Sequence, residues 1–180
     1  METEQELLNA IRSGERTALR RLYDRFSGYA AAIALRYIPQ REEVDDVIQD
    51  CFVKILTSID SFSYRGEGSL KSWVSRIVAN KAVDYVRKHE RITIVSTIPD
   101  DIEDDPSDLG TIPPDLLTEM IGRLPANYRV VLNLFVFEQR SHKDIAQELG
   151  INENTSVMHF FRAKKMLAKM VKDYIKKQSI

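Results

Sequence analysis

The sequence is short of the residues that most enzymes and most secreted proteins depend on. Its one cysteine, Cys51, rules out a disulfide within the chain and fits a reducing compartment. Three histidines, His89, His142 and His159, stand far apart and are expected on helix surfaces. None pairs with a cysteine or acid at metal-ligand spacing, so no metal site is expected. Seven glycines form no phosphate-gripping loop, and no nucleophile motif is present. The chain is therefore not expected to be an enzyme or to carry a cofactor. The longest apolar run, Tyr29 to Leu35, falls well below the about 18–20 residues a bilayer span needs. The acidic, polar opening from Met1 to Gln5 lacks the basic-then-apolar order of a secretory signal. No membrane insertion and a cytoplasmic location are expected.

Charge is abundant but segregated. Residues 1–91 carry 15 basic and 14 acidic side chains, residues 92–122 carry no basic and 8 acidic, and residues 123–180 carry 11 basic and 5 acidic. A net charge of −1 thus hides a nearly neutral first half, an acidic middle and a basic end, the pattern of separate functional segments.

Helical periodicity dominates both ends. Helices are predicted over about 4–13, 17–37, 41–58, 69–91, 114–123, 126–138, 142–149 and 153–177. In the second, Leu19, Leu22, Phe26, Ala30, Ile33 and Tyr37 recur at spacings of three and four, forming one apolar stripe. Ser69, Ser141 and Asn152 are candidate N-caps, and Gly150 stands where a helix end needs positive φ. Between residues 96 and 115, four prolines (Pro99, Pro106, Pro113, Pro114) and seven acids occur without a basic residue. Proline breaks helix and like charges repel, so this reads as a flexible acidic linker; an ordered acidic loop within a single domain is the alternative. The fold class is all-α: two small helical domains, over 1–95 and 114–180, joined by the linker 96–113.

The run Ser141-His-Lys-Asp-Ile-Ala-Gln-Glu-Leu-Gly150 followed by Ile151 and Asn152 reads as helix, tight turn, helix. The following helix bears Arg162, Lys164, Lys165, Lys169 and Lys172, a phosphate-neutralising set on the element that would enter a major groove. An ordinary helical hairpin with a solvated basic tail is the plainer alternative.

In the first half, Val44, Ile48, Cys51, Phe52 and Ile55 form a buried stripe, while Asp45, Asp46, Gln49 and Asp50 lie elsewhere on the helix. On periodicity alone that acidic face is merely solvated. Further on, Leu70, Trp73, Val74 and Ile77 mark a core side. Arg76, Asn80, Asp84 and Arg87 share another face, flanked by Lys71, Lys81, Lys88 and Arg91. Arginine and asparagine make two-pronged contacts to base edges, and arginine also grips phosphate.

Two blocks make the reading specific. Leu124-Pro-Ala-Asn-Tyr-Arg129 with Ser141-His-Lys-Asp-Ile-Ala146, Leu149 and Arg162 resembles region 4 of extracytoplasmic-function (ECF) sigma factors, of the sigma-70 family. Asp45-Asp-Val-Ile-Gln-Asp-Cys-Phe52 and the basic helix after it resemble that family's region 2. The resemblance implies a transcription-initiation factor that directs core RNA polymerase to promoters, reads −10 and −35 elements and assists DNA melting. Asp45, Asp46, Gln49, Asp50 and Phe52 would meet the polymerase beta-prime coiled coil. Tyr64, Arg65, Arg76, Asn80, Lys81, Asp84, Arg87 and Lys88 would engage the −10 element, with an extruded base received by the loop from Ser63 to Gly68. Lys143, Asn154, Thr155, His159, Arg162 and Lys165 would engage the −35 element, beside a dock for the beta flap. An anti-sigma factor is the partner the family implies for the free protein.

Trp73 could wedge between bases but belongs by spacing to the core, and Phe62 reads as an anchor. After Thr155 the usual basic residue is missing; Val157, Met158 and Phe161 could read thymine methyls or could pack against the other domain. A two-domain helix-turn-helix regulator would explain the C-terminal half but not the Asp45–Phe52 segment or the Arg76–Arg87 face.

Overall fold

A computed structural model describes residues 2–90 and 112–178. The elements are α1 (Glu4–Arg12), α2 (Ala18–Tyr37), α3 (Arg41–Ser58), a 3₁₀ turn (Ile59–Ser61), α4 (Ser69–His89), α5 (Pro114–Gly122), α6 (Ala126–Val136), α7 (His142–Leu149) and α8 (Glu153–Gln178). Among the described residues there is no strand, as an all-α reading requires. None of these helices is long and apolar enough to cross a membrane. The chain divides into two compact units, Met1–Tyr85 and Val86–Ile180. Most of the acidic linker expected over 96–113 lies outside the described residues. Ile112, near its end, is buried with Met120 and Val171 and so belongs to the second unit's core.

In the first unit, α2 and α3 pack along their stripes. Leu22, Phe26, Ala30, Ile33 and Tyr37 of α2 are buried against Val44, Val47, Ile48, Cys51, Phe52 and Ile55 of α3. Leu19 departs from the expected stripe: it is 45% exposed, and Ala18, one position earlier, is the buried residue. The following turns bury at spacings of four, and that register runs back from Leu22 to Ala18. Leu70, Val74, Val78 and Ala82 make this unit's core edge of α4. Cys51 is fully buried, and removal from water pushes its thiol up to about 12.

In the second unit α8 is the central element, packing on α5, α6 and α7, and α6 also packs on α7. Val130, Val131, Leu132 and Leu134 are buried on α6, and so are Asn127, Arg129 and Asn133. Arg129 donates to the carbonyls of Leu124 (2.8 Å) and Gly122 (3.2 Å), satisfying acceptors left over where α5 ends. The Asn133 amide donates to the Arg129 carbonyl one turn back at 2.8 Å. The α6 helix stops at Val136, two residues short of the expected 138, and Gln139 then takes φ 52°.

Candidate nucleic-acid and polymerase interface

The loop between the 3₁₀ turn and α4 is built by exchange of caps. Thr3 and Glu6 form a capping box at the start of α1: the Thr3 hydroxyl accepts from the Glu6 amide at 3.2 Å, and the Thr3 amide donates to the Glu6 carboxylate at 2.8 Å. Glu4 turns the other way. Its carboxylate accepts from the amides of Gly68 (2.9 Å), Leu70 (2.8 Å) and Lys71 (3.0 Å), the unpaired donors at the start of α4. Ser69, expected as the N-cap, is instead the first residue of the helix, and its hydroxyl donates to the Gly66 carbonyl at 2.6 Å. In return, Glu67 accepts from the Glu4 amide at 3.1 Å and pairs with Arg25 at 3.2 Å. Gly66 and Gly68 hold φ of 115° and 91°, values that L side chains rarely adopt.

This frame leaves Arg65 exposed and Tyr64 half-buried, with the Tyr64 hydroxyl 3.4 Å from the Glu67 carboxylate. Burial first, and then the negative charge of Glu67, raise the Tyr64 phenol above its ordinary value, so it stays a donor. Behind the loop, Phe62 and Trp73 are both half-buried, with ring centres 5.0 Å apart. Along α4, Arg76, Asn80, Asp84, Arg87 and Lys88 are exposed and Lys81 is half-buried. Ala79 and Ala82 pack inward beside Val78 and Val83, so small buried residues separate the core from a polar outer face.

On α3, Asp45, Asp46, Gln49 and Asp50 are exposed. Phe52 is not: it is 6% exposed, its ring centre 4.7 Å from that of Tyr23. It anchors the helix and offers a partner almost no surface, because its position in the register faces α2. Two apolar residues that the sequence reading did not single out are exposed nearby, Val53 at 61% and Leu56 at 39%. Their absence from the buried stripe was the available signal.

In the second unit the helix-turn-helix has the expected local chemistry. The Ser141 hydroxyl accepts from the Asp144 amide at 3.1 Å. Gly150 sits at φ 67°, ψ 33°, and the Ile151 amide donates back to the Ala146 carbonyl at 3.0 Å. The Asn152 side chain accepts from the Thr155 amide at 2.7 Å and from its hydroxyl at 2.8 Å. Lys143, Asn154 and Lys165 are exposed, and Thr155 and Arg162 are half-buried. Arg162 donates to the Tyr128 hydroxyl at 3.2 Å. Val157, Met158 and Phe161 are each half-buried.

The histidines differ from expectation. His159 is 1% exposed, with Nε2 3.4 Å from the Asn127 amide nitrogen and its ring 5.3 Å from that of Tyr128. It cannot reach DNA, because the side of α8 that carries it packs onto α6. Burial, and then the positive charge of Arg162, lower its pKa below the ordinary 6.5. His142 is half-buried, its ring stacked on Phe135 at 4.3 Å and its Nδ1 2.9 Å from the Ser156 hydroxyl. Both histidines are packing residues; His89 alone of the three is exposed.

Comparison with known proteins places both halves. Residues 22–92 match the family model Sigma-70 region 2, and residues 115–167 match Sigma-70, region 4. The ECF RNA polymerase sigma-E factor of Haemophilus influenzae is 28% identical, with 92% of this chain and 93% of that one covered. The RNA polymerase sigma factor SigV of Bacillus subtilis is 26% identical over 75% of this chain and 80% of its own. A solved structure of CnrH in complex with the cytosolic domain of CnrY is 24% identical at a TM-score of 0.49, covering 96% of this chain and 99% of that one. With region 2 and region 4 in family order on two helical units, the chain belongs to the sigma-70 family as an ECF-type factor, a promoter-specific initiator of transcription rather than an enzyme.

Proposed function

We propose a division of this activity among named surfaces. Region 2, assigned to residues 1–95, docks on the beta-prime coiled coil through Asp45, Asp46, Gln49 and Asp50, with Val53 and Leu56 adding apolar contact. An acidic, amide-bearing helix face suits a basic partner helix, steering the encounter and fixing register. Region 2 then engages the −10 element through Arg76, Asn80, Lys81, Asp84, Arg87 and Lys88. An extruded base enters the loop at Tyr64 and Arg65, where stacking and edge contacts offset the few kcal/mol of lost pairing. Region 4, assigned to 114–180, holds the −35 element through Lys143, Asn154, Thr155, Arg162 and Lys165 and docks on the beta flap. The linker, 96–113, threads through the polymerase, its charge resembling that of nucleic acid. The factor works in the cytoplasm, and an anti-sigma factor holds the free form inactive.

The observation that carries this reading is the outer face of α4. Arg76, Asn80, Asp84 and Arg87 are all exposed along one side of a helix whose other side is core. The test is runoff transcription with bacterial core polymerase, with and without the factor, at two salt concentrations. Product should require both the factor and a particular upstream sequence, and should fall as salt rises. Asn80→Ala with Arg87→Ala should abolish promoter opening and leave core binding near normal. Equal loss of core binding would remove α4 from the DNA surface. Salt-sensitive duplex binding without stimulation of core polymerase would favour a helix-turn-helix regulator.

A further inference from the structure

The α1 helix lies ahead of the region 2 match, which begins at residue 22. Nonetheless it grips both ends of the loop assigned to the extruded base. At one end the Glu4 carboxylate, 2% exposed, takes the amides of Gly68, Leu70 and Lys71. At the other the Arg12 guanidinium donates to the Phe62 carbonyl at 2.6 Å. Glu67, inside the loop, closes the circuit by accepting from the Glu4 amide. A nine-residue helix, Glu4–Arg12, thus braces the short segment between Phe62 and Gly68.

We infer that Glu4 and Arg12 are positioning residues for strand opening, holding the 63–68 loop in the shape that receives a base. The inference rests on the proposed role of that loop. The physical argument is one of preorganisation. A loop with two positive-φ glycines has many alternative shapes open to it, and a pocket formed only part of the time binds more weakly in proportion. Glu4 removes that freedom at the point where the loop becomes helix. Its effect must be electrostatic and geometric, because three amide donors converge on its two oxygens. Glu4→Gln keeps the shape but replaces one acceptor with a donor that faces donors.

The experiment uses the full-length factor bound to core polymerase. The probe is a single-stranded oligonucleotide carrying the −10 region of a promoter the factor transcribes, intact or with one nucleotide at a time made abasic. The unchanged factor should show one position where loss of the base weakens binding markedly. Glu4→Gln should weaken the intact strand about tenfold and shrink the penalty at that position, with core binding unchanged. Arg12→Gln, at an exposed side chain that can be neutralised without unfolding the domain, should act in the same direction by about threefold. It decides the matter alone if Glu4→Gln fails to fold. Should both variants keep the full abasic penalty while Tyr64→Ala loses it, the brace is wrong and the loop assignment stands. If Tyr64→Ala keeps the penalty too, the loop is not the base pocket and both readings fall. If Glu4 merely stabilises the fold, Glu4→Gln would lower the melting temperature and leave the abasic penalty intact, which would also overturn the inference.

Discussion

Glu4 in the first unit and His159 in the second are buried polar side chains handled in opposite ways. In the first unit, Glu4 goes into the interior as a hydrogen-bond acceptor fully engaged by three backbone amides. In region 4, His159 goes in with one long contact to Asn127, and among the described residues its Nδ1 has no hydrogen-bond partner. A carboxylate withstands burial when donors surround it; an imidazole does so by staying neutral. The first arrangement fixes a loop against a helix start. The second fills space between α6 and α8 and depends on pH. Polar burial therefore serves conformation at Glu4 and packing at His159.

This contrast can be broken or sharpened by substitution. The largest losses should come from the apolar cores that enclose these groups. Leu70→Ala beneath the Glu4 cap and Leu134→Ala on α6, both at fully buried positions, should each cost about 2–5 kcal/mol in urea denaturation. A cost well below that range at Leu134 would mean that region 4 is packed loosely enough to collapse around a cavity. A smaller loss should follow acidification. The folded pKa of His159 lies below its ordinary 6.5, so below that pH the unfolded chain takes up a proton that the folded domain refuses. Stability is complete above 6.5 and falls as the pH drops from there to the folded pKa. His142, also lowered by burial, adds in the same direction. Urea midpoints at about pH 7.5 and about pH 5.5 should therefore differ, and His159→Gln should reduce the difference. An undiminished difference would assign the whole effect to other groups. The smallest change is Gly150→Ala. Apart from its chain neighbours, no heavy atom of the described residues lies within 4 Å of the position its Cβ would take, so the cost is the left-handed backbone alone, about 1 kcal/mol. A clearly larger cost would show that the turn between α7 and α8 is strained beyond that single residue.

The elements that could be read from sequence were those whose causes are local. Ser141, Gly150 and Asn152 act on residues within four positions of themselves, and each works as its type suggests. The acidic face of α3 and the polar face of α4 follow from periodicity, and both are exposed. Ser69 satisfied the same local rule for a cap, but a carboxylate from Glu4, far away in sequence, occupies its place. No spacing pattern announces such a partner. His159 was misplaced for a related reason. On α8 polar and apolar residues alternate without a clean stripe after Thr155, so only contact with Asn127 and Tyr128 shows which face is inward. Phe52 belonged to both a buried stripe and a family motif, and the register of α3 on α2 gives it to the core.

Cys51 gives region 2 a clock. Its thiol is fully buried, its pKa is pushed up to about 12, and it is the only sulfhydryl in the chain. At neutral pH almost none of it is thiolate, and an alkylating reagent has no path to it while α2, α3 and α4 stay together. Each labelling event therefore records one opening of that helical core. The rate at which a single adduct mass appears would time the breathing of the first unit, with no probe added and no residue changed.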